Sequence, residues 1–388
     1  MFQKAFWRDI RFIQIVSQVI FILAVAVVAG FLYANVRENL ARAGMTVGYG
    51  FLSNPASFDI GESFIPYQAS DPYSRALLVG IVNTLVVSIL GIILATIVGI
   101  LAGVARLSSN WLIKQIAGAY IGVIRNTPLV IQLMFWYFGV ILQLPGVKEA
   151  LEFPGPSYLS NRGVYIPWPI GTETYAGWSQ FFWVAALSVV IIWYFLNSQS
   201  KKTGLPVPFA WYSAYLLVPA LILLLGAVLQ PQPPLAISIP ELKGFNFKGG
   251  KTLTPEFTAL VFGLVLYTGA FIAEIVRAGI LSVSKGQMEA ARSLGLTAGQ
   301  TLRLVVFPQA LRVIIPPMTS QYLNLAKNSS LAIAIGYPDL FSISGTIFNQ
   351  TGAAIEIIVI MILSYLAMNL VTSLLMNIYN SRTRLVER

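Results

Sequence analysis

The side chains able to do chemistry in this sequence are few, and their spacing narrows what that chemistry is. Glu274 and Arg277 stand three residues apart in an otherwise apolar run, on one face of a helix, where they can pair with each other. Ionisable groups inside a membrane span are expensive and point to function by default. Two readings stay open: an ion pair that closes the helix end, with Arg277 reaching to the lipid surface, or groups that line a gate or touch a polar ligand. Asn328, Ser329 and Ser330 follow another apolar run and offer hydrogen-bonding groups suited to a polar ligand in a cavity, or to an ordinary polar helix end. Glu289, Ala290, Ala291 and Arg292 lie in a polar stretch between those two places. Cysteine and histidine are both absent, which excludes disulfides, Cys or His metal sites, cysteine nucleophiles and any Ser-His-Asp triad.

The elements that must position these groups are membrane helices. Of 388 residues, 56% are hydrophobic and only 10% charged, whereas soluble domains carry roughly a quarter charged residues. A helix needs about 20 apolar residues to cross a bilayer. Runs of that kind predict about eight spans, near 13–33, 77–105, 129–144, 181–197, 209–229, 257–281, 312–325 and 355–379. The first follows Lys4, Arg8 and Arg11, is long for a signal-peptide core, lacks a small-residue cleavage site behind it, and is expected to be retained. The second carries Gly91, Ala95, Gly99 and Gly103 four apart, a ladder that lets another helix backbone approach closely. The fourth and fifth lack the ladder and carry Trp183, Trp193, Tyr194, Trp211, Tyr212 and Tyr215, as expected of peripheral helices facing lipid.

Basic residues decide orientation. One set of flanks holds Lys4, Arg8, Arg11, Arg106, Lys114, Lys201, Lys202, Lys285, Arg292, Arg303, Arg382, Arg384 and Arg388 against Asp9, Glu289 and Glu387. The opposite loops are mixed in sign, so both termini are expected in the cytoplasm. The outside segments 35–76, 145–180 and 230–256 are rich in Pro, Gly and aromatics and are expected to be ordered interfacial loops.

The stretch 282–308 is too polar to cross the membrane. A helix is expected over 284–294, with a capping-box-like Ser284-Lys285-Gly286-Gln287 start. Gly295 ends it with a left-handed position, Thr297 caps the next helix, and Thr127-Pro128 is read as the start of a helix elsewhere. In 244–252, Gly250-Lys251-Thr252 suggests a phosphate-binding loop. That motif needs Gly five residues before the Gly-Lys pair, and the position is Phe245, so the register fails.

Glu289-Ala290-Ala291, three residues, Gly295, nine residues, then Val305-Val306-Phe307-Pro308 closely resembles the EAA loop of importer-type ABC permeases, with Val and Phe replacing that pattern's Ile and Leu. The segment 273–287, Arg125-Asn126-Thr127-Pro128-Leu129 and Lys327-Asn328-Ser329-Ser330-Leu331 are similar to signatures of polar amino-acid permeases, the histidine/glutamate-type superfamily. The chain, Phe58-Asp59-Ile60-Gly61-Glu62 included, resembles the larger Q-type permease of general L-amino-acid importers.

The resemblance implies an all-α polytopic membrane protein with a type I ABC importer permease (MetI-like) core and a cytoplasmic coupling helix. It divides the chain into an N-terminal span and loop (1–75), the first part of the core (76–145), inserted outside loops with two peripheral spans (146–252) and the second part of the core (253–388). Glu289, Ala290, Ala291, Gly295 and Pro308 would form the coupling site for a cytoplasmic ATPase dimer, which would hold ATP and Mg in place of any cofactor on this chain. Glu274, Arg277, Asn328, Ser329 and Ser330 are the candidate translocation pathway. The further implied partners are a second homologous permease and a periplasmic amino-acid-binding protein, in a bacterial inner membrane. The cargo implied is L-amino acids, polar or broad-range, and the chain itself is not expected to be an enzyme or to bind nucleic acid. An ion-coupled secondary amino-acid transporter is the alternative, but it calls for a mid-membrane coupling site, and Glu274 lies near a span end. A membrane enzyme needs a catalytic constellation that a chain without His and Cys struggles to build.

Overall fold

The computed structural model describes residues 10–42, 48–203, 211 and 213–383. Lys4, Arg8, Arg384 and Arg388, counted above for orientation, lie outside the described residues, as does the start of the fifth expected span.

Twelve α-helices run in chain order through the described residues: α1 (Ile10–Arg42), α2 (Tyr73–Ala105), α3 (Trp111–Asn126), α4 (Leu129–Met134), α5 (Tyr175–Thr203), α6 (Ala214–Val228), α7 (Pro255–Leu281), α8 (Lys285–Ser293), α9 (Ala298–Thr301), α10 (Phe307–Asn328), α11 (Leu340–Thr351) and α12 (Ala354–Thr383). Five of them, α1, α2, α5, α7 and α12, contain stretches long and apolar enough to cross a membrane. Two bent pairs bring that number to at most seven, and α6 is a shorter apolar helix, so the expected count of eight full spans is not reached among the described residues.

The differences from expectation have local causes. The third expected span, 129–144, is the second arm of a pair bent by 109°, whose first arm, α3, was not anticipated. Thr127 does not cap α4. It ends α3, its Oγ1 donating to the Val123 carbonyl at 2.9 Å, and Pro128 holds the position before α4. Gln132 clamps the corner, its Nε2 donating to the Ile124 and Thr127 carbonyls, both at 2.9 Å. The seventh expected span is longer than 312–325. A wide helical turn at Leu302–Val306 joins α9 to α10, and a tight helical turn at Ser329–Ile335 continues it before a 55° bend into α11. Pro308 supplies no N–H to the preceding turn, which accounts for the widened geometry just before it.

The segments 145–180 and 230–256, expected to be ordered loops, hold eight short strands: β1 (Leu151–Phe153), β2 (Ser157–Ser160), β3 (Gly163–Ile166), β4 (Trp168–Gly171), β5 (Leu235–Ser238), β6 (Glu241–Lys243), β7 (Asn246–Lys248) and β8 (Lys251–Leu253). They pair as a four-stranded antiparallel sheet, β1-β2-β3-β8, and two ribbons, β4-β5 and β6-β7. The segment 244–252 therefore holds β7 and the link to β8, with Gly249 and Gly250 at φ +82° and +62°, not the strand-loop-helix of a phosphate-binding loop.

Two compact units are distinguished, Met1–Ile89 with Ala278–Ile333 and Pro338–Arg388, and Leu90–Arg277 with Ala334–Tyr337. In the first, Tyr73, Leu77, Val79, Leu340, Ile343, Ile347 and Ile357 form the core. In the second, the glycine ladder of α2 meets α7: a Cβ added at Gly99 would stand 2.5 Å from the Ile272 side chain, and one at Gly103 2.6 Å from the Ala273 carbonyl. That is the close backbone approach expected of small residues four apart. Also in the second unit, α5 and α6 pack as a hairpin, with Trp178 Nε1 donating to the Leu223 carbonyl at 2.8 Å, while Trp183 and Tyr194 remain exposed.

Candidate coupling hairpin and polar junction

The candidate hairpin is built from its turn outward. Helix α8 ends at Leu294, and Gly295 adopts φ +77°, a left-handed position that a side chain would strain. Its N–H donates to the Arg292 carbonyl at 2.9 Å and that of Leu296 to the Ala291 carbonyl at 3.2 Å, which closes the helix end. The capping box forms at the second helix, not the first. Ser284 makes no side-chain cap bond, whereas Thr297 Oγ1 accepts from Gln300 N–H at 3.3 Å and Gln300 Oε1 accepts from Thr297 N–H at 2.9 Å. Gln287, expected to complete the first box, instead accepts from Gln309 at 3.5 Å.

The three motif residues face different ways. Ala291 is 3% exposed and turned into the hairpin, while Glu289 and Ala290 are exposed. Among the described residues the Glu289 carboxylate has no ion-pair partner, and only its carbonyl is engaged, accepting from Ser293 Oγ at 3.0 Å. Beside them Leu294 is 82% exposed. The unpaired carboxylate, a small residue and an exposed Leu thus share one surface, between the left-handed Gly295 turn and Pro308 in the first turn of α10.

A second polar cluster, not anticipated from the sequence, lies where α11 begins. Asp339 is fully buried and caps α11: its Oδ1 accepts from Ser342 N–H at 2.8 Å. Its Oδ2 accepts from the Tyr365 hydroxyl of α12 at 3.4 Å, and that hydroxyl also meets Ser329. From α2, Thr84 Oγ1 accepts from Leu340 N–H at 3.1 Å, and Asn83 Nδ2 donates to the carbonyls of Pro338 at 2.9 Å and Glu62 at 2.8 Å. Gly80 lets α2 come this near, since a Cβ there would stand 2.9 Å from Leu340 Cα. The signal was present in Pro338-Asp339 ahead of an apolar run, an N-cap pattern. Glu356, in the first turn of α12, is buried and accepts from Gly48 N–H at 2.7 Å.

Of the candidate pathway residues, the structure brings Ser329 to this junction, buried and donating to the Ala326 carbonyl at 2.9 Å. Ser330 donates to the Lys327 carbonyl at 2.8 Å, and Asn328 is half-buried at the end of α10. In the other unit Glu274 and Arg277 form a two-point ion pair, Nε to Oε2 at 3.1 Å and Nη2 to Oε1 at 2.5 Å. Arg125 lies over the Phe271 ring at 5.1 Å. Among the described residues no group of three acidic side chains is placed to hold a metal.

Residues 95–385 match the family described as binding-protein-dependent transport system inner membrane component, a span that holds the hairpin and the Asp339 and Tyr365 side of the junction. The chain belongs to that family. As such a component it is a multi-pass membrane permease of the ABC transporter class, and three similar proteins align with it over nearly their full length. It is 46% identical to the putative amino-acid ABC transporter permease protein YhdX of Escherichia coli (strain K12), over 96% of this chain and 94% of that one. It is 45% identical to the general L-amino acid transport system permease protein AapQ of Rhizobium johnstonii, over 95% and 92%. It is also 38% identical to the glutamate/glutamine/aspartate/asparagine transport system permease protein BztB of Rhodobacter capsulatus, over 98% and 96%.

Proposed function

We propose that the chain is the membrane permease of an importer that carries L-amino acids, polar or broad-range, across a bacterial inner membrane with both termini in the cytoplasm. The observation that carries the reading is the rigid hairpin that presents Glu289 and Ala290 beside an exposed Leu294. A separate ATPase dimer, holding ATP and Mg, seats this hairpin, with Gly295 and Pro308 keeping it rigid so that its closing motion reaches α10. A binding protein delivers substrate on the far side, and a second homologous permease completes the path. Glu274, Arg277, Asn328, Ser329 and Ser330 belong to the path this chain contributes. The cargo class rests on the named cargoes of the relatives, which range from general L-amino acids to four acidic and amide amino acids.

The test is co-purification of the chain with its ATPase and second permease, followed by uptake into proteoliposomes. Amino-acid uptake that needs both internal-face ATP and the binding protein is expected. Uptake driven by a proton or sodium gradient without nucleotide would replace this reading with a secondary transporter.

A further inference from the structure

In the second unit α2, α3 and α7 leave an apolar groove of 470 Å³, lined by Leu101, Ala102 and Ala105 from α2, Ile113 and Ala117 from α3, and Leu266 from α7. A single helical turn, about 10 Å across and 5.4 Å in pitch, already fills a comparable volume, so the groove takes a flexible chain in preference to a membrane helix. Its end is basic. Arg106 directly follows α2, and its guanidinium reaches across α3 beside Gly118, with one long contact to the Lys114 carbonyl at 3.5 Å. Lys114 itself is exposed.

Among the described residues neither cation has an ion-pair partner. Glu274, the carboxylate whose charge acts on Arg106, is already taken by Arg277 in a two-point pair. A guanidinium carries five donors and most of those on Arg106 stay open. Trp111, the first residue of α3, is exposed, as expected of an aromatic anchored at a membrane surface.

The geometry points to a site for an anionic phospholipid, with one acyl chain in the α2-α3-α7 groove and the phosphate on Arg106 and Lys114. Apolar wall and unpaired cations match the two ends of such a molecule, and a basic pocket between membrane helices is a recognised form of lipid site.

Native mass spectrometry of the purified full-length permease, titrated with phosphatidylglycerol and with phosphatidylcholine of the same acyl chains, tests the site. The wild-type chain is expected to hold phosphatidylglycerol more tightly. Arg106→Gln with Lys114→Gln should weaken that binding by roughly thirtyfold, the product of two basic contacts with an anionic headgroup, and should weaken phosphatidylcholine, whose choline cation offsets the same phosphate, by much less. Ala105→Phe keeps both cations but fills the groove, and should weaken both lipids. Equal affinity of the wild type for the two lipids, or unchanged phosphatidylglycerol binding in the double variant, overturns the site. Because the chain has no cysteine, Ile116→Cys places a single thiol at the groove. It should stay monomeric on oxidation in membranes, and a disulfide-linked pair would put a second copy in the groove and overturn the lipid reading.

Discussion

The hairpin at 284–308 and the junction around Asp339 are both built on helix ends, and they treat polar groups in opposite ways. In the hairpin, helix-end bonds are local and the motif carboxylate is left bare. In the junction, the local cap that Asp339 makes on α11 is joined by polar side chains distant in sequence, Thr84 and Asn83 from α2 and Tyr365 from α12. The difference separates two tasks. An unpaired charge suits the docking role proposed for the hairpin, whereas a bend inside a membrane protein must satisfy its freed backbone groups internally, because no water is there to do it.

Variants can break that contrast from its stiffest point. Asp339→Ala leaves the Ser342 N–H and the Tyr365 hydroxyl without their acceptor, and should cost about 2–4 kcal/mol of stability from the lost cap plus the stranded donors, read by thermal unfolding in detergent. Asp339→Asn keeps an acceptor and should recover most of it. Gly80→Leu forces a side chain against Leu340 Cα, at a cost of about 1–3 kcal/mol in the same assay. Gly295→Ala must adopt φ +77°, which costs roughly 1–2 kcal/mol locally, and should appear as faster proteolysis within 284–308 with the junction unaffected. Asn328→Ala, at a half-buried helix end, should leave stability within about 0.5 kcal/mol while shifting the KM for uptake, and unchanged uptake kinetics would remove Asn328 from the pathway.

The same contrast explains what could be read in the sequence. The hairpin was legible because a polar stretch between apolar runs exposes its own grammar: the helix, the Gly295 turn and the Thr297 cap all follow from neighbours a few residues apart. The glycine ladder of α2 was legible for the same reason. The junction was not, because Asn83, Thr84 and Tyr365 are single polar residues in apolar runs, and only folding brings them to Asp339. Helix α3 was missed because Lys114 and Arg125 interrupt its apolar run, and the strands of the outside segments because each is only three or four residues long. The capping box was placed one helix too early, since Ser284 and Thr297 each stand three residues before a Gln and composition alone does not choose between them.

The central claim is that the bare Glu289 serves a partner and not the fold. Glu289→Arg in the reconstituted transporter tests it most directly, with thermal stability, ATPase activity and amino-acid uptake measured on one preparation. A substitution at an exposed site with no ion-pair partner among the described residues should leave stability within about 0.5 kcal/mol. Loss of both substrate-stimulated ATPase activity and uptake from that stable protein is the predicted result. Normal uptake by the same variant would contradict the docking role.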